Sequence, residues 1–226
     1  MIGDTTTGTI DAADNNTGLG VDVFAALTSG DDNTAVGSGA LDAVTTASHN
    51  TAVGKNAAGA TTGEGNTAVG REALSANSSG ADNTAIGKGS LQSSTTSSNN
   101  VAVGKNSLFL NTTGASNVAV GALALDANTT ATYNTAIGYR SLSANTTGTP
   151  NTAIGGDALR DNTTGENNVA VGSGALVSNT TASNNTAVGR SALLVNTTGT
   201  RNTALGAVAL DANSTGNDNT AVGRAA

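Results

Sequence analysis

The sequence predicts an all-β chain wound into a parallel β-solenoid, or β-roll, of about 12–13 coils. Three observations predict it. First, an Asn recurs at Asn33, Asn50, Asn66, Asn83, Asn100, Asn117, Asn134, Asn151, Asn168, Asn185, Asn202 and Asn219, in steps of 17 residues with one step of 16. Second, each copy places the same residue types at the same positions. Third, aromatics make up 2% of the chain and Pro occurs once, so no globular core of large side chains can be assembled. A fixed period near twenty residues marks a solenoid, in which one coil cannot bury its apolar face alone and stacks on the next. Low hydrophobicity would also fit disorder, but disorder does not require apolar residues to keep fixed positions.

Residues 1–15, with Asp4, Asp11 and Asp14, do not fit the repeat and read as a leader or cap. Residues 16–32 read as a degenerate first coil, in which Leu19, Gly20, Phe24 and Thr28-Ser29-Gly30 stand where later copies carry an aliphatic residue, Gly, Leu and a turn. Terminal repeats of solenoids are atypical because they cover an open end. Residues 33–226 are tandem 17-residue copies, the last incomplete.

Counting each opening Asn as position 0, positions 1–3 read Thr or Val, Ala, then Val, Ile or Leu, an alternating run that predicts a short strand. Strand side chains point alternately to two faces. The larger aliphatics at position 3, such as Val36, are therefore expected to face the interior. There they meet the Leu of position 8: Leu41, Leu74, Leu91, Leu108, Leu125, Leu142, Leu159, Leu176, Leu193 and Leu210, with Ala58 the exception. Ala at position 2 and Gly at position 4 then share the opposite face. So few large side chains per coil call for a second burying surface, and that small-residue face is the candidate chain–chain contact: Ala35, Ala68, Ala102, Ala136, Ala170 and Ala204 with Gly37, Gly70, Gly104, Gly138, Gly172 and Gly206. Asn-Thr-Thr-Gly, as in residues 111–114, turns the chain. The two variable residues that follow, which include the sole histidine, His49, form an outer corner.

Formal charge is −7, which argues against nucleic acid as a partner. Without Cys there is no disulfide framework and no thiolate site. The start has neither a basic n-region nor an apolar run, so no signal peptide or membrane insertion is expected. One histidine, carboxylates that rarely recur at one position, and no Gly-Lys-Ser/Thr or calcium-loop pattern predict no enzyme, no metal and no cofactor.

Lys55, Arg71, Lys88 and Lys105 share position 5, as do Arg190 and Arg224, so the first four are expected to form a stripe. It is a candidate contact for an anionic surface or glycan; a charged margin that keeps the chain soluble is the simpler reading. Asn111, Asn128, Asn145, Asn162, Asn179, Asn196 and Asn213 head Asn-x-Thr/Ser sequons and are candidate glycosylation sites.

The phrase Asn-[Thr/Val]-Ala-[Val/Ile]-Gly, clearest at residues 117–121 and 168–172, resembles the head repeats of trimeric autotransporter adhesins and the repeat arrays of phage tail-fibre shafts. The resemblance covers roughly residues 33–226. It implies a left-handed β-roll, three chains side by side, and a role in display and attachment.

The expected function is thus a non-enzymatic fibre protein, the shaft or head of an extracellular, cell-surface or virion-surface fibre. Its partners are further copies of itself, as a homotrimer or an end-to-end polymer, and a cell-surface glycan or receptor. Two alternatives stand beside it. The last copy stops at position 7, before its Leu, and such an open edge suits a filament or matrix component that polymerises end to end. The Thr-Thr pairs suit an ice-binding Thr array, although only one Thr of each pair can face outward.

Overall fold

The computed structural model describes residues 13–226. The leader expected over residues 1–15 lies, but for its last three residues, outside them. The chain is an all-β parallel solenoid of 17-residue coils that divides into two units, residues 1–115 and 116–226. Each coil contributes one short strand.

In the first unit these are β1 (Thr17–Leu19), β2 (Thr34–Val36), β3 (Thr51–Val53), β4 (Thr67–Val69), β5 (Thr84–Ile86) and β6 (Val101–Val103). Each pairs in parallel with the next, so Ala35, Ala52, Ala68, Ala85 and Ala102 lie in one column. The second unit carries β7 (Val118–Val120), β8 (Thr135–Ile137), β9 (Asn151–Ile154), β10 (Asn168–Val171), β11 (Thr186–Val188), β12 (Thr203–Leu205) and β13 (Thr220–Val222), paired in the same in-register way. Register survives the one 16-residue step because the missing residue is lost from the turn. The Thr62 amide donates to the Ser78 carbonyl (2.7 Å) and Gly63 sits under Gly80, so what has gone is the counterpart of exposed Ser79.

The interior holds Ala and Leu. Leu41, Leu74, Leu91, Leu108, Leu125, Leu142, Leu159, Leu176 and Leu193 are fully buried, and Leu210 is half-buried. All adopt the left-handed conformation, with φ near 50°, which turns the chain sharply while sending the side chain inward. An L-residue there is strained by roughly 1–2 kcal/mol, which the roughly 1.5–3 kcal/mol typical of burying an aliphatic side chain offsets. Opposite each Leu stands the position-2 Ala, with no exposed surface.

This reverses the expected faces. Ala35, Ala68, Ala102, Ala136, Ala170 and Ala204 are sealed inside their own coils with no exposed surface to offer a neighbouring chain, while Val36 and its equivalents point outward and are not core. Interior volume decides it. One Leu per layer leaves room opposite it for a methyl group and nothing larger, and packed interiors tolerate neither overlap nor void. The first coil shows the same rule in compensated form. Phe24 replaces Leu and position 2 becomes Gly18, where a Cβ would lie 3.1 Å from the Phe24 ring and 2.9 Å from Val23.

The position-4 glycines also serve within the chain. Gly138 has φ +134°, and a Cβ on it would lie 2.6 Å from the backbone of Gly155 in the next coil. Gly37, Gly70, Gly104, Gly138, Gly172 and Gly206, the other half of the expected chain–chain face, are half-buried, and each lies against the backbone of an adjacent coil of its own chain.

Two columns of asparagine complete the interior. The Asn134 amide nitrogen donates to Oδ1 of Asn117 (3.0 Å), its Nδ2 donates to the Gly148 carbonyl (3.0 Å), and its Oδ1 accepts from the Asn151 amide (2.8 Å). Asn145, in the position-11 column, donates through Nδ2 to Oδ1 of Asn128 (3.2 Å) and to the same Gly148 carbonyl (3.1 Å). Buried polar groups must be hydrogen-bonded, and here the repeat supplies each partner from the adjacent coil.

Candidate functional site

With Ala inside, each strand turns its position-1 and position-3 side chains outward. In the second unit the position-3 column reads Val120, Ile137, Ile154, Val171, Val188, Leu205 and Val222. In the first it reads Leu19, Val36, Val53, Val69, Ile86 and Val103. These aliphatics keep substantial exposure: 38% at Ile137, 39% at Ile86 and 48% at Leu205. Beside them runs the position-1 column of Thr, replaced by Val at Val101, Val118 and Val169. Single exposed aliphatics are ordinary on a protein surface, whereas contiguous ones mark an interaction site. In-register pairing makes them contiguous here.

Two residues beyond this face, Lys55, Arg71, Lys88 and Lys105 are all exposed. Ladder hydrogen bonds keep their column in register. The amides of Glu72, Gly89 and Asn106 donate to the carbonyls of Lys55, Arg71 and Lys88 at 2.9, 3.0 and 3.0 Å. Arg71 pairs with Glu72 (2.8 Å), and among the described residues Lys55, Lys88 and Lys105 form no ion pair.

The second unit carries its charge differently. The Arg160 guanidinium grips Asp161 bidentately (2.7 and 2.8 Å) and thereby holds that carboxyl below its ordinary range. Asp157 lies 3.9 Å from Arg140 and 4.0 Å from Arg160, and the Arg140 guanidinium stands 6.0 Å from the Tyr139 ring. Burial pushes the Asp126 carboxyl up, against the pull of its own backbone amide and of Arg140.

In the first unit, Gly39, Asp42, Ala43, Asn56, Gly59, Ala60 and Ser75 line a notch of about 390 Å³, and burial raises the Asp42 carboxyl above its ordinary value. His49 sits on its outer corner, 3.7 Å from Asp32. Among the described residues no three His, Cys, Asp or Glu side chains are grouped to hold a metal ion, and no helix is long and apolar enough to cross a membrane.

No family model, curated protein or solved structure matches this chain. What it does must be argued from its own surfaces.

The sequons are removed from that surface. Asn111, Asn128, Asn145, Asn162, Asn179 and Asn196 are fully buried and Asn213 is half-buried. Their amide nitrogens donate to the turn carbonyl three residues on, as in Asn162 to Gly165 (3.1 Å) and Asn196 to Gly199 (3.0 Å). A glycan on the six buried side chains is incompatible with the folded coil. The Thr pairs divide in the expected way. The first hydroxyl of each donates to the next coil, as Thr146 to Thr163 (3.1 Å) and Thr163 to Thr180 (3.0 Å), leaving the second, as at Thr147, Thr164, Thr181 and Thr198, exposed.

Sequence reasoning missed the outward aliphatic face. A signal for it was present: Asn at position 0 and Ala at position 2 are identical in all twelve copies, whereas positions 1 and 3 vary. Fixed size marks the packed side.

Proposed function

We propose that this chain is a non-enzymatic structural repeat protein whose coils associate side by side with further copies through the outward Val/Ile face. It would serve as the shaft or head of an extracellular, cell-surface or virion-surface fibre. The observation that carries this reading is the column of half-exposed aliphatics, one per coil and in register, flanked by Thr and Val. Covering such a stripe contributes about 25 cal/mol per Å² of apolar surface removed from water. Short side chains of low conformational entropy lose little on being covered. The resemblance of Asn-[Thr/Val]-Ala-[Val/Ile]-Gly to adhesin-head and tail-fibre repeats adds three as the number of chains and a left-handed winding.

Light scattering across a concentration series tests the reading. The wild-type protein is expected to hold a stable mass near three times the 21.6 kDa chain. The double variant Ile137→Lys with Ile154→Lys is expected to fall to a single chain with its far-UV circular dichroism unchanged, since both side chains point away from the interior. A wild-type protein that stays at one chain, or a double variant that keeps the wild-type mass, overturns it.

A further inference from the structure

All four Lys and Arg residues of residues 1–115 lie in one column, Lys55, Arg71, Lys88 and Lys105, on four consecutive coils. The acids of the same unit lie mostly elsewhere. Asp14, Asp31, Asp32, Glu64 and Asp82 occupy the far corner and Asp42 the notch, while Asp22 and Glu72 stand at position 6, next to the cation column, where Glu72 pairs with Arg71. A surface evolved only for solubility is served by mixed signs, in which neighbouring charges relieve one another. Here the signs are separated. Neighbouring coils repeat at about 4.8 Å, a separation at which exposed like charges repel and are little screened at physiological salt.

We infer that this column is a binding site for a linear acidic polysaccharide that lies along the solenoid axis, with one carboxylate or sulfate on each sugar. The match is one of period. The coil repeat sets one cation per layer, and a chain of acidic pyranose units presents one anion per unit at a comparable spacing. Several charge-assisted contacts therefore form without bending either partner. Backbone hydrogen bonds at Lys55, Arg71 and Lys88 fix the column before any ligand arrives.

One feature favours a polysaccharide over nucleic acid. The aromatic side chains of residues 1–115 are Phe24, which is fully buried, and Phe109, which is half-buried, so no row of stacking platforms for successive bases runs along the stripe. The inference stands on the single chain and does not depend on side-by-side association.

The test measures binding of the full chain to polygalacturonate by calorimetry at low and physiological salt. Unsubstituted dextran, duplex DNA and phosphatidylglycerol vesicles serve as comparison ligands. Binding to polygalacturonate alone is expected, with log K falling against log salt at a slope of about −3 for four contacts, by analogy with counterion release from single-stranded nucleic acids. The triple variant Lys55→Gln, Lys88→Gln, Lys105→Gln is expected to lose at least about tenfold in affinity. A charge-matched control, Arg190→Gln, Arg201→Gln, Arg224→Gln, is expected to bind as wild type. Both variants are checked for unchanged circular dichroism and native mass, which separates loss of the site from loss of the fold or of self-association. No binding to polygalacturonate, equal binding to DNA or vesicles, or equal loss in the two triple variants overturns the inference.

Discussion

Replacing Asn145 by Asp changes one atom of the inner Asn column and puts the account of that column under a sharp test. Asn145 Nδ2 donates to Oδ1 of Asn128 and to the Gly148 carbonyl, while its Oδ1 accepts from Nδ2 of Asn162 (3.1 Å). The site is fully buried. An ionised carboxylate there would still accept from Asn162 but would face two acceptor oxygens, Asn128 Oδ1 and Gly148 O. A neutral carboxyl can donate to one of them. Burial and these acceptors both raise the folded-state pKa of the introduced group above its unfolded value of about 3.9. The folded state therefore holds its proton to higher pH than the unfolded chain, and stability relative to wild type falls as pH rises. The pH-dependent penalty is absent below about pH 4 and grows by about 1.4 kcal/mol per pH unit until the folded-state pKa is reached, so a group still neutral at pH 7 costs about 4 kcal/mol there. Asn145→Ala, which removes three hydrogen bonds worth about 1 kcal/mol each, should cost a similar amount with no dependence on pH. Urea unfolding of wild type and both variants from pH 4 to pH 8 separates these outcomes. A penalty for Asn145→Asp that is flat with pH, or below about 1 kcal/mol at pH 7, would refute the buried ladder.

Two further predictions follow from the packing and the ion pairs. Ala136→Leu inserts a branched side chain at a position with no exposed surface and is expected to destabilise the isolated chain by about 1–3 kcal/mol; an unchanged melting temperature contradicts the inward placement. The Arg160 guanidinium depresses the Asp161 carboxyl, so their pairing is present above the unfolded-state pKa near 4 and is lost as pH falls through the still lower folded-state value. Both side chains are partly exposed, which limits the effect to well under 1 kcal/mol. Arg160→Gln should therefore lower stability slightly at pH 7 and not at all near pH 2, as read by thermal melts at the two pH values.

Much of this fold is legible in the sequence. The period places the coils, the alternation at Thr135-Ala136-Ile137 places a strand, and the recurring Leu142 marks the interior. The facing of the strand is not legible from hydropathy, because ranking side chains by apolar area sends Ile137 inward and leaves Ala136 outside. The real constraint is volume. With Leu142 already filling the layer, only a methyl fits opposite, and the larger aliphatic is left on the surface. Hydropathy likewise gives no reason to place Asn134 and Asn145 inside, since a lone buried amide is costly. Stacking at a fixed period removes that cost, because each amide finds its partner in the coil before or after it. The cation stripe is legible outright, since Lys55, Arg71, Lys88 and Lys105 need only the period to be aligned. Its lack of internal partners at three of the four positions requires the structure.

The measurement that tests the central claim most directly is thiol reactivity of two single-cysteine variants, which the absence of any native Cys makes unambiguous. At high dilution under native conditions, Ala136→Cys is expected to resist a maleimide reagent until the chain unfolds, while Ile137→Cys reacts readily and becomes protected as concentration rises and copies associate. A reactive thiol at position 136 beside a shielded one at position 137 in the dissociated chain would contradict the account, restoring the small residues to the surface and the large ones to the core.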